Sequence, residues 1–132
     1  MKLSDYDPSV SGVKIAPMIS APLVASIGKN SSLAAAGVDI GSAQRIGIMM
    51  PAAWTTAGLT FQVCDTIGGT YSNLMDATGV EVAVPVAASG AYTISNTTQE
   101  LLSPWRFVKV RSGTAAVPVS QDDVRSITFV TK

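Results

Sequence analysis

The chain has 132 residues, of which 47% are hydrophobic and only 14% are charged, a composition that fits one domain with one core. Nine basic and nine acidic residues cancel, and the basic residues are spread along the chain, which argues against the clustered positive charge that nucleic-acid binding needs. Histidine is absent and Cys64 is the only cysteine, which excludes a histidine acid or base, a His/Cys zinc site and an intrachain disulfide.

Residues 1–30 differ from the rest of the chain, because Pro8, Pro17 and Pro22 interrupt short apolar stretches and disfavour a helix. We therefore predict an extended N-terminal arm over residues 1–30 and a β-sandwich domain over residues 31–132. The apolar side chains of the arm must be shielded from water. Either the arm adds an edge strand to the protein's own sheet, or it contacts a neighbouring subunit. The candidate contacts with such a subunit are Val13, Ile15, Met18, Ile19, Leu23 and Val24.

The first ten residues, MKLSDYDPSV, contain two aspartates and a proline where a signal peptide has an apolar core. No stretch approaches the roughly 18 apolar residues of a membrane span. We therefore expect synthesis in the cytoplasm and no membrane partner.

From residue 31 onward the dominant sequence period is two, which indicates strands with one buried face. Residues 31–41 are predicted as strand, turn and strand, and RIGIMM at 45–50 and GLTFQVCD at 58–65 as further strands. Cys64 occupies an outward position in this alternation, so we expect a partly exposed, passive thiol. The predicted inward side chains of the 58–65 strand are Leu59, Phe61 and Val63.

Residues 70–84 read as a hairpin, because the turn residues at 77–79 separate two segments of strand-like sequence. On the returning segment the alternation predicts that Val80, Val82 and Val84 point inward.

The C-terminal third continues the pattern, with predicted strands at 91–95, 105–112 and 125–132 and a single helical turn in TTQELLSPW at 97–105. The loop at 113–124 is long enough to suggest a contact surface. In total, about seven to nine short antiparallel strands with Gly- and Pro-rich turns predict an all-β fold, a single β-sandwich or jelly roll.

The acidic residues lie near the amino terminus, in turns and in the loop at 113–124, and no two can be paired as acid and base. We therefore expect a protein that is not an enzyme and that uses no cofactor. Asp65 and Asp76 are conceivable calcium ligands, but a hairpin turn using Gly68 and Gly69 is the favoured interpretation, so no metal site is predicted.

Aromatic side chains are the means by which many β-sandwich modules hold sugars. The candidate glycan contacts are Trp54, Tyr71 and Tyr92, although packing in the core and at its rim is the more economical use of so few aromatic residues.

The later two thirds of the chain contain a characteristic series of short motifs: Arg45, Pro51, AAWT at 52–55, LTFQ at 59–62, GTY at 69–71, WRFV at 105–108 and RSG at 111–113. In the order of these motifs, residues from about 40 to 132 resemble a group of small structural proteins encoded among the virion genes of tailed bacteriophages. The layout of the chain is also similar to the galactose-binding-like jelly roll of carbohydrate modules.

The resemblance implies a virion protein that decorates or cements a capsid, or that serves as a head spike or tail accessory. The implied partners are the major capsid protein and neighbouring virion subunits. We also expect a homo-oligomer and, from the dispersed charges, no nucleic-acid partner. A carbohydrate-binding module that recognises a surface glycan in phage adhesion remains the alternative.

Overall fold

The computed structural model describes residues 23–41 and 43–132. Within these ranges the chain forms nine strands and one short helix, and the strands pair into two antiparallel sheets. The all-β class predicted from the alternating sequence pattern is confirmed.

Consecutive strands often change sheet, so each sheet is assembled from distant parts of the chain. Sheet A has the strand order β1-β9-β3-β7, and sheet B has the order β2-β8-β4-β5, with β6 also paired to β4. The elements are β1 (Leu23–Ile27), β2 (Val38–Asp39), β3 (Ile46–Met49), β4 (Leu59–Cys64), β5 (Ser72–Asn73), β6 (Ala83–Val84), β7 (Ala91–Thr93), α1 (Asn96–Leu102), β8 (Phe107–Ser112) and β9 (Arg125–Thr131).

Strand β1 lies inside the segment that the sequence predicts as an arm. It pairs with β9 over its whole length, from Leu23 opposite Phe129 to Ile27 opposite Arg125. Ile27 is 0% exposed, so this part of the segment supplies core residues as well as backbone pairing. Residues 23–27 therefore form an edge strand of the protein's own sheet. Four predicted contact residues lie outside the described ranges: Val13, Ile15, Met18 and Ile19.

The core lies between the two sheets and follows the predicted alternation closely. Phe61 of β4 and Phe129 of β9, from opposite sheets, are both 0% exposed. The burial of apolar side chains is the main driving force for holding two such sheets face to face. The other fully or almost fully buried apolar residues of the central strands include Leu59, Val63, Ile46, Ile48, Val108, Val110 and Ile127.

The predicted hairpin around residues 77–79 is present, but its returning segment begins to point inward later than the alternation suggests. The Val80 side chain is 60% exposed, which contradicts the predicted inward orientation. Its backbone N–H donates to Asp76 Oδ1 at 3.0 Å, so Val80 still belongs to the turn. Val82 is the first residue of this segment to enter the core, at 7% exposure.

Helix α1 is longer than the single turn that the sequence predicts. Ser95 caps it, because its hydroxyl accepts a hydrogen bond from the backbone N–H of Thr98 at 3.2 Å. Gln99 then ties the helix to sheet A, its Oε1 accepting from the backbone N–H of Ile46 at 3.1 Å.

Candidate binding surfaces

The outer face of sheet B is built from the side chains of β4 and β8 that point away from the core. The register places Gln62 beside Lys109 and Cys64 beside Phe107 on this face. Cys64 is nevertheless only 4% exposed, and its thiol donates to the backbone oxygen of Thr66 at 3.1 Å, so the expectation of a partly exposed thiol is wrong. The cause is the turn after β4, which folds back and covers the end of this face.

A buried ion pair lies at one side of the same face, between β8 and the β5–β6 hairpin. Arg111 Nη1 donates to Glu81 Oε2 at 2.9 Å, and Arg111 Nη2 donates to Asn73 Oδ1 at 2.6 Å. The side chains of Arg111 and Glu81 are 8% and 17% exposed. Glu81 Oε1 also accepts from the backbone N–H of Ala115 at 3.1 Å, so the ion pair fastens the 113–124 loop and the β5–β6 hairpin to the sheet.

Tyr71 lies across the outer face of sheet B. The Lys109 ammonium sits over its ring, 4.5 Å from the centroid, and its hydroxyl reaches Gly37, where any Cβ would collide with it. Burial, and secondarily the nearby Cys64, raise the pKa of the Tyr71 hydroxyl above its ordinary value. The ring thus fills the space between opposite edges of the sheet, and one of its faces is occupied by Lys109.

We expect Gly37→Ala to destabilise the fold by about 1–3 kcal/mol, because the added methyl group displaces the Tyr71 ring. Urea denaturation measures the change, and Gly28→Ala is the matched control, since a Cβ there meets only Ser31 Oγ at 3.8 Å. Adding Tyr71→Ala should remove most of the Gly37→Ala effect. Additive effects of the two changes would contradict the contact.

A third cation on this face, after Arg111 and Lys109, is also paired. Arg106 donates from Nε and Nη2 to Asp39 Oδ2 at 3.2 and 3.1 Å, and its guanidinium lies 5.2 Å from the centroid of the Phe107 ring. The hydrogen bond from Arg106 is the largest effect that lowers the pKa of Asp39, and Asp39 in turn raises the pKa of Arg106. The cations of the face therefore lie against aromatic rings and carboxylates, and they do not form an open basic patch.

The three candidate glycan contacts lie on three different elements. Trp54, in the β3–β4 connection, donates from Nε1 to the oxygen of Ala57 at 3.0 Å. Tyr92 of β7 accepts at its hydroxyl from the N–H of Ala87 at 2.8 Å. Tyr92 stands opposite the buried Ile48, on the core side of sheet A, whereas Tyr71 lies on the outer side of sheet B. The structure does not bring these two tyrosines together on one platform.

The two candidate calcium ligands also lie apart. Asp65 follows the carboxyl end of β4, whereas Asp76 lies in the turn of the hairpin between β5 and β6. The Thr78 hydroxyl and the N–H groups of Thr78 and Val80 all donate to Asp76 Oδ1 and lower the pKa of this carboxyl. Within residues 23–41 and 43–132, no group of three or more potential ligands is placed to hold a metal ion. Among the described residues no helix is long and apolar enough to cross a membrane.

The outer face of sheet A, termed the sheet A face below, differs from that of sheet B because it carries no charge at its strand positions. Val24 and Met49 flank Thr128 across three neighbouring strands and are 56% and 53% exposed. The outward positions of its four strands are Val24, Ser26, Gly47, Met49, Ala91, Thr93, Ser126, Thr128 and Val130.

These features define a small two-sheet β-sandwich that presents two chemically distinct faces, one polar and aromatic and the other uncharged. No family model and no curated protein matches the sequence. Among solved structures, the chain is similar to the crystal structure of SPBc2 prophage-derived protein YomS, with 11% identity and a TM-score of 0.42 over 88% of this chain and 98% of that chain. A similarity at this level leaves the function to be argued from the residues themselves.

Proposed function

We propose that the chain is a non-catalytic structural protein of a tailed-phage virion, which decorates or cements the capsid through its N-terminal segment and the β1 edge of sheet A. The observation that carries the proposal is this edge. Among the described residues, β1 pairs on one side only, with β9. An edge strand with unpaired backbone groups is a template for another chain.

The sequence that leads into this edge has the composition of a contact segment. Residues 13–19, VKIAPMI, contain five large apolar or proline residues and one charge, and they lead toward β1. Val24, the second residue of the strand, turns outward and is 56% exposed. An apolar segment joined to an open edge can combine backbone pairing with side-chain burial on a partner.

The free energy expected from burying these apolar side chains is sufficient for binding to a capsid. Each Val or Ile that leaves water fully contributes about 1.5–3 kcal/mol before the cost of ordering the segment. On a capsid the same contact is repeated many times, so contacts that are weak singly can act together when subunits are linked. The resemblance of residues 40–132 to phage virion proteins supports the same class of function.

The test is co-sedimentation of the full chain with capsids assembled from the major capsid protein encoded nearest to its gene. We expect saturable binding by the natural sequence and a loss of affinity of at least about tenfold in the double variant Ile15→Asp/Ile19→Asp, because two apolar contacts become charged. Deleting residues 1–28 would be a poor test, because it removes the core residues Ala25 and Ile27, which are 1% and 0% exposed.

Ile67→Asp is the control variant for this experiment. Ile67 is 83% exposed in the turn after β4, so the substitution adds charge to the surface without touching the edge of sheet A or the 113–124 loop. It should bind as the natural sequence does. Capsid binding that is equally strong in the double variant, or absent in the natural sequence, would exclude the proposed docking mode.

A further inference from the structure

The sheet A face is exposed and uncharged, although it spans four strands. Its central row runs from Val24 through Thr128 and Met49 to Ala91. The large apolar side chains of Val24 and Met49 are 56% and 53% exposed to water. Charges on an outward face normally keep a sheet soluble, and this face has none at its strand positions.

The size of the face limits what can cover it. Four strands about 4.8 Å apart and about five residues long give roughly 300 Å² of face. This area is well below the roughly 800 Å² per partner that a stable interface between two folded proteins buries. A single extended segment matches it better, because ten residues reach about 33 Å and are long enough to cross all four strands.

The segment that precedes β1 is almost uncharged, like the sheet A face, and it is joined to the edge of the same sheet. Residues 8–22 carry one charge, Lys14, and the segment is joined directly to Leu23 at the edge of this same sheet. A short connection to the edge makes the entropic cost of folding back small. Pro17 and Pro22 lack the N–H that a paired strand needs, which suits a segment that lies on a face better than one that extends the sheet.

We propose that, in the free subunit, residues 13–22 fold back from β1 and lie across the sheet A face of their own chain, in contact with Met49. The segment then shields the apolar side chains of the face and its own apolar side chains from water. This inference goes beyond the proposed function, because it concerns the subunit before it docks; on the capsid the same segment is released to its partner.

Cross-linking in the full chain without capsids tests the proposal. The variant Ile15→Cys/Met49→Cys is treated with a short bis-maleimide at low protein concentration. We expect a cross-link within one chain, seen as a monomer of altered mobility and located by peptide mass. The native Cys64 is buried, and single-cysteine variants check that it does not react.

The matched control is Ile15→Cys/Ile67→Cys. Ile67 is 83% exposed in the turn after β4, which belongs to sheet B. The Met49 pair should react at least about tenfold more than this control, which corresponds to about 1.4 kcal/mol of preference for the sheet A face. Equal yields in the two pairs, or a cross-linked dimer as the main product of the Met49 pair, would overturn the proposal. Neither result depends on capsid binding.

Limited trypsin cleavage after Lys14 gives a second measurement that needs no cysteine. A segment held on the face is cut slowly, so Met49→Asp should raise the cleavage rate roughly tenfold by increasing the released fraction. Ile67→Asp should leave the rate unchanged. An unchanged rate in Met49→Asp would also contradict the proposed contact.

Discussion

Glu81→Ala is expected to destabilise the protein by about 3–5 kcal/mol, which is a large part of the stability of a domain of this size. The change leaves the Arg111 guanidinium, 8% exposed at the side chain, without its carboxylate. It also removes the acceptor for the backbone N–H of Ala115, so the 113–124 loop loses its bond to the β5–β6 hairpin. Urea denaturation at neutral pH should show the loss as a lower midpoint.

Asp39→Ala is the matched control for Glu81→Ala. It breaks the other described ion pair, which joins Asp39 to Arg106. The Arg106 and Asp39 side chains are 57% and 42% exposed, so this pair lies in solvent. Solvent screens such a pair, so the expected loss is below about 1 kcal/mol. The double variant Glu81→Leu/Arg111→Met should be more stable than Glu81→Ala, because it leaves no buried charge behind. Similar losses in the Glu81 and Asp39 variants would show that burial of the first pair has little effect.

Gln121→Ala is expected to cost about 3–5 kcal/mol, because a truncated side chain leaves several buried polar groups without partners. Gln121 is 0% exposed. Its Oε1 accepts from the N–H of Thr55 at 2.9 Å and from Arg125 Nε at 3.1 Å. Its Nε2 donates to the oxygen of Thr55 at 3.0 Å and to Ser112 Oγ at 2.6 Å. The side chain therefore joins the β3–β4 connection, the end of β8 and the start of β9.

Thermal and urea unfolding of the full chain measure this loss, and hydrogen exchange at the Thr55 amide localises it. Gln44→Ala is the control, because Gln44 is an exposed glutamine and its loss should change stability by less than about 0.5 kcal/mol. Gln121→Glu should also destabilise, since a carboxylate cannot donate to the oxygen of Thr55. A Gln121→Ala protein as stable as the natural sequence would contradict the role of the side chain as a buried connector.

The burial of Gln121 could not be predicted from the sequence. It lies in the loop at 113–124, which loop length alone suggests as a contact surface, and a glutamine in such a loop is usually solvated. No local pattern marks it as buried, because two of its three side-chain partners are distant in sequence, Thr55 by 66 residues and Ser112 by 9. The same holds for Gly37, whose missing side chain is explained only by the Tyr71 ring that occupies the space.

The sequence by itself determined where most strands lie and which of their faces is buried. The alternation in residues 58–65 predicted the inward Phe61 and Val63 correctly, because side chains on a strand alternate whatever the strand pairs with. The lack of histidine likewise restricted the possible chemistry before any fold was known.

Only the tertiary structure decided which strands pair and what covers their second faces. Strand β1 pairs with β9, about a hundred residues away, through backbone groups that are the same in every strand, so local sequence carries little information about the partner. Cys64 was misjudged for a related reason: alternation tells which side of the sheet a residue faces, but exposure on that side depends on the turns that fold over it. The uncharged sheet A face arises only because the tertiary structure places four strands that are separate in sequence side by side.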